Sequence, residues 1–170
     1  MRRTWTTVGA LVGAFVLQVM LAPHLAVFGV VPNLLLLVVI TLAFVEGPSA
    51  GAVAGFGAGL LLDLLGNDPV GAWALVLSIT GYTTGMLQEN LFAEGWLAPV
   101  TVAIIAGLVA DTSYLIVLAI VGVGPAFWQS LWSVVLPRAV YNTALVLLAY
   151  PWLARFLRTD RTIKSFRRVA

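Results

Sequence analysis

Four glycines spaced by four residues, Gly47, Gly51, Gly55 and Gly59, punctuate an otherwise apolar stretch that ends in Asp63, Leu64 and Leu65. On a helix they form one smooth stripe, and Asp63 sits one step further along it. In water, a helix this rich in glycine loses backbone entropy and gains little. In hydrocarbon, the same stripe lets a second helix approach closely. The stretch reads as a central membrane-spanning helix whose flat packing face ends in a buried carboxylate.

Composition points the same way. Only 9% of the residues are charged and 61% are hydrophobic, against about 25% charged in a soluble domain. Too few polar side chains remain to cover a water-soluble surface. The apolar residues come in long runs, which suit membrane-spanning helices. The expected fold class is therefore all-α, a polytopic membrane helical bundle. There is no cysteine, which excludes disulfides, haem thiolates and iron–sulfur clusters. The basic residues are loaded at the ends: Arg2 and Arg3 at the start, and Arg155, Arg158, Arg161, Lys164, Arg167 and Arg168 at the finish. Between them only Arg138 is basic. This pattern reads as two cytoplasmic termini facing anionic lipid rather than as a nucleic-acid surface. The basic start followed by an apolar run also resembles a signal peptide. It lacks a small-x-small cleavage site before Pro23-His24-Leu25, so a retained first span is expected, with a signal peptide as the alternative.

Six spans are expected. The first runs from Thr6 to Leu21, with Gln18 as its polar interior residue, and Pro23 and His24 end it. Residues 26–31 read as an apolar loop or a short re-entrant turn, in which Gly29 helps the chain turn. His24 is the only histidine, and without cysteine partners it cannot close a metal site, so it reads as an interfacial loop residue. No metal and no cofactor is expected. Pro32 and Asn33 open the second span, about Leu34 to Val45. Glu46-Gly47-Pro48-Ser49 is a tight turn, and Ser49 is suited to cap the third span, which ends near Leu65. Gly66-Asn67-Asp68-Pro69 is a strong turn signal. The fourth span covers about Val70 to Leu87 and carries Gly81 and Gly85, a second close-contact pair. Gln88 to Trp96 suggests a short interfacial segment. The fifth span, about Leu97 to Val121, carries Ala103, Gly107 and Asp111, repeating the small-small-acid spacing. Phe127, Trp128 and Trp132 mark the next interface. The sixth span covers about Ser133 to Leu153. Residues 1–154 thus form a six-span transmembrane domain, and residues 155–170 a basic cytoplasmic tail that faces anionic lipids.

With both termini inside, Asp63, Asp111 and Arg138 fall in the outer half of the bilayer. Asp111 lies about ten residues, roughly 15 Å, from the outer end of its helix. An isolated charge at such a depth costs at least about 3 kcal/mol. Pairing Arg138 with one or both carboxylates removes much of that cost. Tyr114, Tyr141, Asn142 and Asn33 are placed to complete the polar network. It can serve helix packing alone, or a transport site or proton relay. Enzyme signatures are missing: there is no HExxH, no GxSxG elbow and no GxxxxGK[ST]. An intramembrane aspartyl dyad of Asp63 and Asp111 needs a shared proton, and an arginine beside them suits ion pairing instead.

The order of the motifs resembles a known family. Pro32-Asn33-Leu34-Leu35-Leu36 resembles a Pro-(Asp/Asn)-Leu-Leu-Leu signature. Gly55-Phe56-Gly57-Ala58-Gly59-Leu60-Leu61-Leu62-Asp63 resembles a Gly-Phe-x-x-Gly-Leu-x-x-Asp block, with Asp63 at the acid position. Gly71-Ala72-x-Ala74-Leu75 and Tyr82-x-x-Gly85 continue the likeness to the bacterial rod shape-determining protein MreD family, over nearly the full length. The resemblance implies a non-enzymatic subunit of the elongasome in the bacterial inner (cytoplasmic) membrane, supporting lateral peptidoglycan synthesis. It implies binding to MreC, and through it connection to MreB, RodA and a class B penicillin-binding protein. It also implies a fold similar to the S-components of energy-coupling-factor transporters, which leaves a small-molecule or lipid-binding membrane protein as the alternative. The glycine stripe could accept the single transmembrane helix of MreC, or be filled by the second or fourth span of this chain.

Overall fold

The computed structural model describes residues 2–26, 30–66, 69–90, 97–124 and 126–158. These residues are almost wholly helical. The helices are α1 (Arg2–Met20), α2 (Leu34–Glu46), α3 (Pro48–Leu65), α4 (Ala72–Asn90), α5 (Leu97–Val121), α6 (Phe127–Ser130) and α7 (Leu136–Arg158). A 3₁₀ turn, Ala22–Leu25, follows α1, and a π turn, Leu131–Val135, joins α6 directly to α7. Among the described residues two helices, Pro48–Leu65 and Thr101–Val121, are long and apolar enough to cross a membrane. Thr7–Met20 and Leu34–Glu46 are shorter apolar helices.

The centre of the bundle is α2. Every residue from Leu35 to Val45 is buried, so this helix has no exposed face and presents its leucine and valine run on all sides. Such a helix belongs in the middle of an assembly of other helices. Its start is fixed by Asn33, whose Oδ1 accepts the Leu36 N–H at 2.9 Å, a side-chain cap on an otherwise unpaired donor. Its end is Gly47, which both terminates α2 and precedes α3. Gly47 has φ 93° and ψ −178°, a conformation open to glycine and strained for other residues. A single residue therefore turns the chain back on itself.

Several expected boundaries move. Ser49 does not cap α3: Pro48 takes the first helical position, Gly47 is the residue before it, and Ser49 lies exposed inside the helix. Proline suits that position because its missing N–H has no helical partner there. Gly47 for the same reason stands outside the helical stripe. The fourth helix starts two residues later than expected and runs on to Asn90, while residues 91–96 of the expected interfacial segment lie outside the described residues. The last helical run begins at Phe127 instead of Ser133, so Trp128 and Trp132 sit within it. Pro137 cannot donate to the helix ladder. The turn just before it is widened, and Leu136 N–H bonds the Leu131 carbonyl.

Among the described residues the most extensive helix contact is between α3 and α4, and they run antiparallel, since Gly51, Gly55 and Gly59 face Gly81, Leu77 and Trp73 in turn. A Cβ on Gly51 would run into the Gly81 carbonyl and come 2.7 Å from Ala43 Cβ. One on Gly55 would meet the Leu77 carbonyl and lie 2.9 Å from Ser78 N, and one on Gly59 would strike the backbone of Trp73 and Ala74. Gly85 answers from α4, facing the backbone of Gly47 and Pro48. The stripe is therefore filled step by step by α4, backbone against backbone, with Ala43 of α2 at its edge. Small residues at a helix crossing permit this approach. The repeat on α5 is different. A Cβ on Gly107 would find only Leu36 Cδ2, at 3.9 Å, which is ordinary contact. Ala103 is buried, but Gly107 does not mark a backbone-to-backbone seam.

Candidate functional site

Polar side chains gather where α1 and α3 finish and α2 and α4 begin. Asp63, the last step of the glycine stripe, is 2% exposed. Its carboxylate accepts three backbone N–H bonds from the start of α4: Gly71 at 2.8 Å and Ala74 at 3.1 Å on Oδ2, and Trp73 at 3.0 Å on Oδ1. The first N–H groups of any helix lack helical partners and carry partial positive charge. A carboxylate held there satisfies them and is itself stabilised. The stripe thus does two jobs in one register. It brings α4 close, and it delivers an anion to the open end of that helix. Gly71, at φ 104°, supplies the turn that aims its own N–H at Asp63.

The structure separates the two acids that share one spacing. Arg138 Nη1 lies 3.3 Å from Asp111 Oδ1. Asp63 is not part of this pair; its carboxylate is held instead by the N–H groups at the start of α4. Asp111 is buried on α5, and the Arg138 side chain is 23% exposed on α7. One turn along α7 from Arg138, Asn142 Oδ1 accepts the Asn33 N–H at 3.0 Å. That bond ties α7 to the start of α2.

The remaining expected members have other partners. Tyr114, one turn beyond Asp111, stacks on Trp73 with ring centroids 3.9 Å apart and planes 17° from parallel. Tyr141 donates to the Leu25 carbonyl at 2.8 Å, so it anchors the turn after α1. Two residues enter without having been assigned a partner from the sequence. Trp73 connects the Asp63 cap to α5 through the stack. Gln18 grips α2 on either side of Asn33: its Nε2 donates to the Pro32 carbonyl at 2.9 Å, and its Oε1 accepts the Leu34 N–H at 2.7 Å. A lone glutamine in an apolar helix was the signal for the second, since such a side chain needs partners when buried.

A continuous belt results. It runs from Asp63 on α3 to the start of α4, across Trp73 and Tyr114 to α5, through Asp111 and Arg138 to α7, and by Asn142, Asn33 and Gln18 to α2 and α1. Each link joins different helices. Of the expected basic surface residues, Arg155 and Arg158 fall in the last turns of α7, and Arg161, Lys164, Arg167 and Arg168 lie outside the described residues. Among the described residues no group of three His, Cys, Asp or Glu side chains is placed to hold a metal ion. What this arrangement does chemically is to fasten helices: its hydrogen bonds satisfy helix-end backbone groups and the buried Asp111 charge.

A family model described as rod shape-determining protein MreD matches residues 1–159. No curated protein and no solved structure matches the chain.

Proposed function

The chain belongs to the MreD family of rod shape-determining proteins, and from that premise we propose that it is a scaffold subunit of the elongasome. Members of the family are non-catalytic membrane proteins. In this reading the chain spans the bacterial cytoplasmic membrane six times, with both termini and the basic tail of residues 155–170 in the cytoplasm. It binds MreC, and through MreC it connects to MreB, RodA and a class B penicillin-binding protein. The transglycosylase and transpeptidase chemistry belongs to those partners.

The observation that carries the scaffold reading is the central helix. A small-molecule binder with the S-component arrangement needs a central cavity lined by convergent polar groups. Here α2 fills the centre with a buried apolar run from Leu35 to Val45, and the polar belt fastens helices around it. Such a bundle is suited to presenting an outer face. The glycine stripe is not the face offered to MreC, since α4 already fills it. The partner helix docks on another helix surface of the bundle.

The test is a native-nanodisc pull-down from the source cell envelope, read by mass spectrometry for proteins and small molecules. Recovery of MreC with the wall-synthesis enzymes, and no stoichiometric metabolite, is the expected result. A tightly held metabolite without those proteins would overturn the scaffold reading in favour of a binding or transport role.

A further inference from the structure

The corner formed by Asp111, Arg138 and Asn142 contains three buried polar atoms that the protein itself does not satisfy: Asp111 Oδ2, Arg138 Nε and Asn142 Nδ2. Asp111 is 2% exposed and Asn142 7%. Each of the three side chains is held by its other end. Asp111 Oδ1 is on the Arg138 Nη1, and Asn142 Oδ1 is on the Asn33 N–H. Turning the Asn142 amide over would set its NH₂ against the Asn33 N–H, two donors face to face, so the orphan atom there is a donor. Arg138 and Asn142 lie one turn apart on the same face of α7, and Asp111 is tied to Arg138, so the orphans share one corner between α5, α7 and the start of α2. Buried polar groups in native proteins are nearly always paired. Three in one corner point to a partner outside the chain.

The atom types restrict that partner. Two are donors and one is an acceptor. A phosphate or carboxylate would meet Asp111 Oδ2 with like charge and no donor. An ammonium would offer nothing to the arginine or the amide. A hydroxyl oxygen accepts two hydrogen bonds and donates one. We infer that this corner binds one hydroxyl-bearing molecule, which accepts from Arg138 Nε and Asn142 Nδ2 and donates to Asp111 Oδ2. Two sources supply that chemistry. One is a water molecule, and three bonds is the usual number for a buried one. The other is the hydroxyl of a lipid headgroup, such as the glycerol of phosphatidylglycerol. The 23% exposure of the Arg138 side chain marks the side from which either would enter. The inference does not rest on the elongasome reading, because it concerns only the corner's own donors and acceptor.

The test uses the full chain, with labelled arginine and asparagine nitrogens, in nanodiscs of phosphatidylethanolamine with and without phosphatidylglycerol. Solid-state NMR reads magnetisation transfer onto Arg138 Nε–H and Asn142 Nδ2–H₂. Transfer to both groups from protons at the water frequency in both bilayers supports a bound water. Transfer to both groups from headgroup glycerol protons, present only with phosphatidylglycerol and lost when that headgroup is deuterated, supports the lipid hydroxyl. Transfer to both groups from protein protons alone, or to one group without the other, overturns the inference. The wild-type chain suffices, so no variant needs to fold.

Discussion

Replacing Gly55 by alanine adds one methyl group at the tightest point of the α3–α4 seam. Two effects oppose each other. Alanine is the better helix former by about 1 kcal/mol. Against this, the new Cβ would sit 2.5 Å from the Leu77 carbonyl carbon and 2.9 Å from Ser78 N, where ordinary contact is 3.4–4 Å. Both obstacles are backbone, so no side chain can swing aside, and the two helices must separate by roughly 1 Å. A gap of about that size forfeits a quarter to a half of the dispersion well for each atom pair along the seam. It also pulls on the Asp63 bonds, whose shortest is 2.8 Å. Overpacking of this kind costs about 1–3 kcal/mol, so the clash wins over the propensity. Gly57 provides the control, because a Cβ there meets nothing within 4 Å. Gly57→Ala keeps the helix gain alone. The assay is reversible unfolding of both variants in one detergent, followed by helical circular dichroism. Gly55→Ala should be less stable than Gly57→Ala by about 1–3 kcal/mol, the overpacking cost alone, because the propensity gain is common to both. Equal stabilities would show that the seam yields freely and would sink the account of α3–α4 packing.

Further substitutions probe the belt. Asp63→Ala removes the acceptor for three N–H groups and should destabilise by about 2–3 kcal/mol, with Asp63→Asn intermediate, since charged hydrogen bonds are worth about 1.5–3 kcal/mol; wild-type stability in the alanine variant would refute the cap. Arg138→Ala strands the buried Asp111 carboxylate and should lower stability by about 2–3 kcal/mol, below the roughly 3–5 kcal/mol of a fully buried broken pair because the arginine is partly exposed. Adding Asp111→Asn should then recover part of the loss, and a double variant no more stable than the single one would count against the pair. Gln18→Leu leaves the Pro32 carbonyl and the Leu34 N–H without their side-chain partner, at about 1–3 kcal/mol. Hydrogen exchange at Leu34 should accelerate, and unchanged protection there would remove Gln18 from the belt.

Much of this protein was determined by local chemistry. The all-α class follows from apolar runs with almost no charge, and the helix ends follow from proline, glycine and asparagine, whose effects act within a turn. The span of α5 matches its expected limits, and Asn33 opens α2 as its position before the leucine run implies. The glycine stripe announced a close packing face because spacing alone puts Gly51, Gly55 and Gly59 in line. Spacing could not say what fills that face. Only the antiparallel register of α3 and α4 sets Gly51 against Gly81 and places Asp63 on the free N–H groups of α4.

The clearest contrast is between the two acids. Asp63 and Asp111 each follow two small residues at intervals of four, and nothing local distinguishes them. One ends a seam and meets a helix end. The other lies on a helix whose glycine touches only a leucine side chain, and it meets a guanidinium from 27 residues further along the chain. A carboxylate binds whichever donors reach it. The sequence by itself determined that both carboxylates would need donors; the packing of distant segments decided which donors arrive, because burial and hydrogen-bond reach are properties of the assembled bundle and not of either helix alone.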